Sequence, residues 1–180
     1  MDELVNKLVI CCKKPKKKAK ILCKQFRKMF LPNVAYKLKD KNISVKRYKL
    51  VADDYKMSHF IVTGDSYIKI GRRTEGPTIT FSIEEYDEKM KVLNNTFYET
   101  DPLITCSGES DLVDFFKDLS HPGNVPTRNI HIHFEDDRIE LRHYKIETVE
   151  EEEIKVGLTE LGPRITLKIK KIEDSFFNIN

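Results

Sequence analysis

The sequence predicts an α/β fold made of two pseudo-repeated α/β halves, mixed sheets with flanking helices, within one domain of 180 residues. Three observations predict it. Short β-branched and aromatic runs outnumber helical ones. Two segments place apolar residues at helical spacing. Two stretches recur in the same order about half a chain apart. Leu8-Val-Ile-Cys-Cys12 followed by a helix recurs as Leu103-Ile-Thr-Cys-Ser107 followed by a helix, and Thr74-Glu-Gly-Pro-Thr-Ile-Thr-Phe-Ser-Ile83 recurs as Thr159-Glu-Leu-Gly-Pro-Arg-Ile-Thr-Leu-Lys-Ile169. Gly-Pro opens each of the latter strands, where proline's missing N–H costs least. The repeat puts the boundary near residue 95, with an N-terminal half of about 1–95 and a C-terminal half of about 96–180 packed about a pseudo-twofold.

The elements follow in order. Leu8–Cys12 is a strand-sized apolar run, and the loop Lys13-Lys-Pro-Lys-Lys-Lys18 follows it. Leu22, Phe26, Met29 and Phe30 share one helical face, and Pro32 ends that helix because its ring cannot continue the ladder. A second basic stretch, Lys37 to Lys49, has a short helix in its second half that ends before Asp53-Asp54. Strands are expected at His59–Thr63, Tyr67–Gly71 and Thr78–Ile83, then a short helix around Glu84–Leu93 and a strand at Pro102–Thr105. Leu112, Phe115, Phe116 and Leu119 mark a helix over Ser110–Leu119, with Asp111 and Asp114 near its positive end. Ile130, Ile132 and Phe134 alternate with His131 and His133 as a half-buried strand requires. Arg138–Glu147 returns as the hairpin partner across Glu135-Asp-Asp137, Glu150–Glu153 reads as a solvated acidic loop, and Ile165, Leu167 and Ile169 define the last strand.

Charge gives the first functional clue. The formal net charge is +3, yet residues 1–50 hold 16 Lys+Arg against 3 Asp+Glu, while residues 51–180 hold 16 against 26. Such asymmetry points to a polyanion-binding end. No apolar run approaches the roughly 20 residues that span a bilayer, so no membrane partner is expected. Leu8–Cys12 lacks a following small-residue cleavage site and does not read as a signal peptide. Four cysteines without a CxxC pair suggest a reducing compartment.

The motifs carry a resemblance. Gly162-Pro-Arg-Ile-Thr-Leu-Lys-Ile169 resembles the closing strand of the Brix domain, a module of eukaryotic ribosome-assembly factors. Phe26-Arg-Lys-Met-Phe-Leu-Pro32, Val51-Ala52 leading into Ser58-His-Phe-Ile61, Glu75-Gly76-Pro77-Thr78-Ile-Thr-Phe81 and Leu141-Arg142-His143-Tyr144-Lys-Ile146 fall in the order of its Peter Pan branch. The resemblance implies halves that resemble the anticodon-binding domains of some tRNA synthetases. It implies a non-enzymatic factor of large-subunit assembly in the nucleolus that contacts precursor rRNA and pairs with a dedicated assembly-factor protein, among other pre-ribosomal proteins. Two departures stand out. The usually long segment between Arg142-His-Tyr144 and Gly162-Pro163-Arg164 is cut to an acidic linker, and no basic C-terminal extension follows before Asn180.

The basic N-terminal third is the candidate RNA site, because clustered cations release counterions from a polynucleotide. Lys13, Lys14, Lys16, Lys17, Lys18 and Lys20 lie on the first loop and helix start, Lys24 and Arg27 extend them, and Lys37, Lys39, Lys41, Lys46, Arg47 and Lys49 form a second cluster. The competing reading is a solvated charge run or a nuclear-import patch, and the two can coexist. Arg72 and Arg73 suit phosphate or local carboxylates such as Glu75. Arg164 stands where the first half has Thr78, and a structural role is the preferred reading. His131 and His133 share a strand face that Glu135 continues; outward polar positions are preferred over a metal site. The cysteines read as core residues, with Cys11 and Cys12 in the first strand. Tyr36, Tyr48 and Tyr55 suit base stacking or core packing equally. No nucleophile–base–acid set or Gly-rich phosphate loop is apparent, so no catalytic residue, metal or cofactor is expected. The acidic second half is expected to face a protein partner or solvent. Alternatives are another Brix paralogue of either subunit, or a nuclear adaptor without direct RNA binding; a His131/His133 hydrolase is least supported.

Overall fold

The computed structural model describes residues 6–39, 45–73, 75–123, 125–150 and 154–177. Among these residues nine strands form one sheet: β1 (Lys7–Cys11), β2 (His59–Thr63), β3 (Tyr67–Arg72), β4 (Thr78–Asp87), β5 (Leu103–Ser107), β6 (Arg128–Glu135), β7 (Arg138–Glu150), β8 (Ile154–Glu160) and β9 (Arg164–Glu173). Three helices accompany them, α1 (Lys17–Met29), α2 (Val45–Asp54) and the short α3 (Val113–Lys117), with a 3-10 turn at Asn95–Tyr98.

The strand order is β1-β2-β3-β4-β9-β7-β6-β5, with β8 paired to β7. Pairing repeats from each edge inward. The outer pairs β1/β2 and β5/β6 are parallel, as a strand–helix–strand crossover requires, and every other pair is antiparallel. The two sets meet at β4 and β9, where Thr78 pairs with Glu173 and Asp87 with Arg164. The small sheets expected for each half are therefore one continuous sheet.

Alternation sorts side chains to two faces. On one face Val9, Ile61, Ile79 and Phe81 from the first half join Ile130, Ile132, Leu141 and Leu167 from the second. Leu22, Phe26, Met29 and Phe30 of α1 and Phe115 and Phe116 of α3 cover them. The four apolar α1 positions expected to share a face are all buried. On the other face Leu8, Ile10, Phe60 and Val62 pack under Tyr48 and Ala52 of α2 and under Phe176 and Phe177. No helix covers this second face over β5, β6 and β7 among the described residues. There alternation turns Thr105, His131 and His133 outward, with Asn129 in the same row but buried.

Four expectations about individual elements are corrected. Glu84–Leu93 is not a helix: β4 runs to Asp87 because β9 pairs with it through Tyr86↔Ile165, and residues 88–93 are irregular. The helix expected over Ser110–Leu119 is regular only at Val113–Lys117, the flanks being turns. The supposed linker after Tyr144 is mostly a β-hairpin, with Tyr144↔Glu160 and Ile146↔Leu158 in register. Residues 151–153 of the expected acidic loop lie outside the described residues, and so does Lys41. α2 includes Asp53 and Asp54 rather than ending before them.

The recurring motifs now have physical reasons. Gly162 has φ +75, and a Cβ there would sit 2.1 Å from the Lys89 carbonyl oxygen. His143 is fully buried; the backbone N–H groups of Leu161 and Gly162 donate to its carbonyl, and its Nδ1 meets the Gly162 oxygen at 3.1 Å. Arg142-His-Tyr144 and Gly162-Pro-Arg164 thus form one strand junction. In the first half, Thr78 Oγ1 donates to the Ser175 carbonyl and accepts from the Phe177 N–H, at 2.6 and 2.7 Å, pinning residues 175–177 over the sheet.

Candidate RNA-binding surface

α1 begins beside Asp65 of the β2–β3 turn, whose carboxylate accepts the N–H groups of Lys16 and Ala19, both at 3.3 Å. The helix has no acidic residue in its own first turn. Lys16, Lys17 and Lys20 therefore crowd the positive end of the helix, where cations oppose its stability. All three are exposed, as are Lys13, Lys14 and Lys24. Lys17, Lys20, Lys24 and Lys28 follow helical spacing and form a stripe along the outer side of α1.

Beyond α1 the chain passes the free edge of the sheet. Val34 bridges Lys7 in parallel, the Lys7 N–H donates to Asn33 and the Ala35 N–H to Lys7. Exposed Lys37 and Lys39 follow. α2, carrying exposed Lys46 and Arg47, lies on the opposite face from α1. The two clusters therefore wrap the β1 edge as a belt.

Several candidates sit otherwise than expected. Arg27 is only 4% exposed; Nε and Nη2 donate to the Val9 carbonyl and Nη1 to that of Leu38, which removes it from the surface. Its place in the buried row Ala19–Cys23–Arg27 was legible from i, i+4 spacing. Lys49 Nζ donates to the carbonyls of Phe176 and Phe177, so it holds the C-terminal segment instead. Lys18 is half-buried, its Nζ 5.4 Å from the Tyr86 ring centre. Arg72 pairs with Asp118 at 2.6 Å and Arg73 with Asp53 at 3.6 Å, so their carboxylate partners are not Glu75.

Ion pairing separates the two ends of the sheet. Among the described residues, no ion pair involves Lys13, Lys14, Lys16, Lys17, Lys20, Lys24, Lys28, Lys37, Lys39, Lys46 or Arg47. Toward the centre and second half the pattern inverts. Arg138 pairs with Glu84, Arg142 with Glu140, Lys145 with Glu147, Arg164 with Glu160 and Lys168 with Asp137. Its hydrogen bond to exposed Arg164 holds Glu160 below the usual carboxylate range.

Sequence reading missed the main cross-link between the halves, Arg128. Fully buried, it donates to the carbonyls of Met29 and Leu31 at the end of α1 and to those of Phe97 and Thr100, at 2.6–2.8 Å. Burial lowers its pKa to about 10. Lys7 and Asp101 form a buried pair at 3.7 Å nearby. No local pattern announces either contact, since their partners lie far away in sequence.

The histidine strand makes a polar network. Thr105 Oγ1 meets His131 Nδ1 at 2.9 Å, and Ser107 Oγ lies 3.0 Å from His131 Nε2 and 2.8 Å from His133 Nδ1. Desolvation and the neighbouring His133 and Arg142 hold His131 below its ordinary pKa. Among the described residues, no group of three or more His, Cys, Asp or Glu is placed to hold a metal ion. Nor does any described helix have the length and apolarity to cross a membrane. Beside the network, Leu103, Tyr144, Ile146 and Leu158 wall a shallow groove of about 360 Å³ on the uncovered face.

The class defined here is an α/β domain with a repeated pairing pattern on a single sheet, cationic at one edge and net acidic toward the other. Its membership is specific: the chain belongs to the Brix domain family, whose model matches residues 12–171. Two curated relatives from Saccharomyces cerevisiae, ribosome biogenesis proteins SSF1 and SSF2, are each 30% identical over a 105-residue alignment. That alignment covers 49% of this chain and 23% of each relative, so the chain spans about a quarter of their length.

Proposed function

We propose that this domain is a non-catalytic ribosome assembly module that binds precursor rRNA of the large subunit and acts as an RNA–protein scaffold in the nucleolus. The observation that carries the reading is the belt of cations without carboxylate partners around the β1 edge. Uncompensated lysines offer a polyanion its full counterion-release gain, whereas paired ones must first surrender a partner. The printed names of the two relatives, ribosome biogenesis proteins, supply the biological setting. Phosphate contacts would position the domain, and RNA shape would supply specificity. The compensated second half, with its uncovered face, suits the dedicated assembly-factor partner.

The test is charge reversal. Lys17→Glu, Lys20→Glu and Lys24→Glu together should weaken binding to structured rRNA at least tenfold at moderate salt. The slope of log K against log salt should fall by roughly 2–3, about 0.7–0.9 per lost contact. Arg142→Glu with Lys145→Glu, in the compensated half, should leave that slope unchanged. An unaltered slope in the triple variant sinks the electrostatic reading and favours an adaptor without direct RNA binding.

A further inference from the structure

The lysine stripe of α1 ends at an aromatic platform. Lys28, its last member, holds Nζ 3.9 Å from the ring centre of Tyr98 and 5.8 Å from that of Tyr36. Tyr98 is buried, but Tyr36 is 44% exposed and is followed by the exposed Lys37 and Lys39. The turn presenting Tyr36 is fixed. Its N–H donates to the Val34 carbonyl at 2.7 Å, the Leu38 N–H donates to Ala35, and buried Arg27 donates to the Leu38 carbonyl at 2.9 Å. Arg27, lost to the surface as a phosphate contact, is thus a positioning residue for this turn.

An open ring on a rigid turn, among cations without carboxylate partners, has the chemistry that single-stranded nucleic acid uses: the base stacks on the ring while neighbouring cations hold the flanking phosphates. Duplex RNA keeps its bases stacked inside and cannot use the ring this way. We infer that Tyr36, with Lys28 and Lys37 beside it, forms a stacking site for an unpaired nucleotide at the end of the α1 cation stripe. The inference rests on the RNA-binding reading above and adds to it a base-contacting residue and a preference for unpaired RNA.

The chain contains no tryptophan, so Tyr36→Trp places a single tryptophan at the site, excited selectively at the red edge of its absorption, where the remaining tyrosines absorb little. Titration with a single-stranded RNA octamer should quench and shift its emission. Inorganic polyphosphate, which has no bases, should compete with the octamer yet leave the emission nearly unchanged. In the otherwise unaltered chain, Tyr36→Ala should lower octamer affinity roughly five- to hundredfold, the range of one stacked base. The salt slope should not move, because no charge is removed, and Tyr36→Phe should restore most of the affinity. Duplex affinity should be the same in all three proteins. Equal affinity of Tyr36→Ala and parent for the octamer, or equal spectral response to polyphosphate and octamer, overturns the stacking site while leaving salt-sensitive binding intact. Failure of the unaltered chain to bind any RNA in a salt-sensitive way overturns both readings.

Discussion

The two halves share a pairing pattern but dress it differently. The first places a helix on each face of its strands, and Leu8, Ile10, Phe60 and Val62 are apolar under α2. Among the described residues the second has only α3, and the face that α2 would occupy carries Thr105, Asn129, His131 and His133. Coverage dictates composition: a strand face that no helix shields is tolerated when its side chains satisfy one another in water's presence. Charge follows the same division. Exposed Lys17, Lys20, Lys24, Lys37 and Lys39 make no ion pair among the described residues, whereas Arg142, Lys145, Arg164 and Lys168 pair with carboxylates of their own half and Arg138 with Glu84 of the first. One pairing pattern thus carries an outward-facing cationic rim in the first half and a net-acidic surface in the second.

Breaking the link between the halves should have the largest effect on stability. Arg128→Ala removes a buried cation and leaves four carbonyls without that donor. It should cost about 3–5 kcal/mol in urea unfolding, and Arg128→Lys should recover little, because an ammonium cannot reproduce the planar fork.

Acid should act next, and on both halves. His59 and His143 are buried neutral, their pKa values lowered by desolvation to about 3 and about 4. Unfolding restores each to near 6.5, so below that pH the unfolded chain binds protons that the folded one refuses. Stability should be complete above about pH 6.5 and fall as pH drops, down to about 4 for His143 and 3 for His59. The loss is about 1.4 kcal/mol per pH unit for each histidine. His143→Gln should remove roughly half of the histidine contribution when urea midpoints at pH 7 and pH 5 are compared. An undiminished pH slope would show that another group carries the acid response.

A smaller effect sharpens the contrast at the helix ends. Asp65 caps α1 from the β2–β3 turn, whereas in the corresponding β6–β7 turn Asp137 pairs with Lys168. Asp65→Ala should lower the unfolding free energy by about 1 kcal/mol, read by urea denaturation. Asp137→Ala, which breaks only an exposed pair, should cost less than about 1 kcal/mol.

Local signals carried much of this fold. The alternation in Ile130-His-Ile-His-Phe134, the apolar face of α1 and the Gly-Pro repeat each reflect a constraint felt within a few residues. The failures were long-range. Glu84–Leu93 has a helix-tolerant composition, but pairing with β9 keeps the chain extended through Asp87, and the Tyr86 hydroxyl meets Gln25 of α1. β8 did carry a period-two pattern in Ile154, Val156 and Leu158, overshadowed by the acidic run before it. For the candidate surface, charge counts located the basic region but not its geometry. Helical spacing places Arg27 in the buried row, but only the fold separates exposed Lys17, Lys20 and Lys24 from Lys49, because that depends on which carbonyls lie within reach.

Arg128 also bears on how such a domain changes over evolutionary time. A repeated unit can be trimmed, swapped or shed only while each copy closes its own hydrogen bonds. Here a strand of the second copy completes the helix end of the first, and the shared β4–β9 seam leaves neither copy a finished edge. Neither half therefore closes its hydrogen bonds alone, and substitutions at the rim or the bare sheet face disturb fewer contacts between the halves than substitutions at Arg128 or the seam.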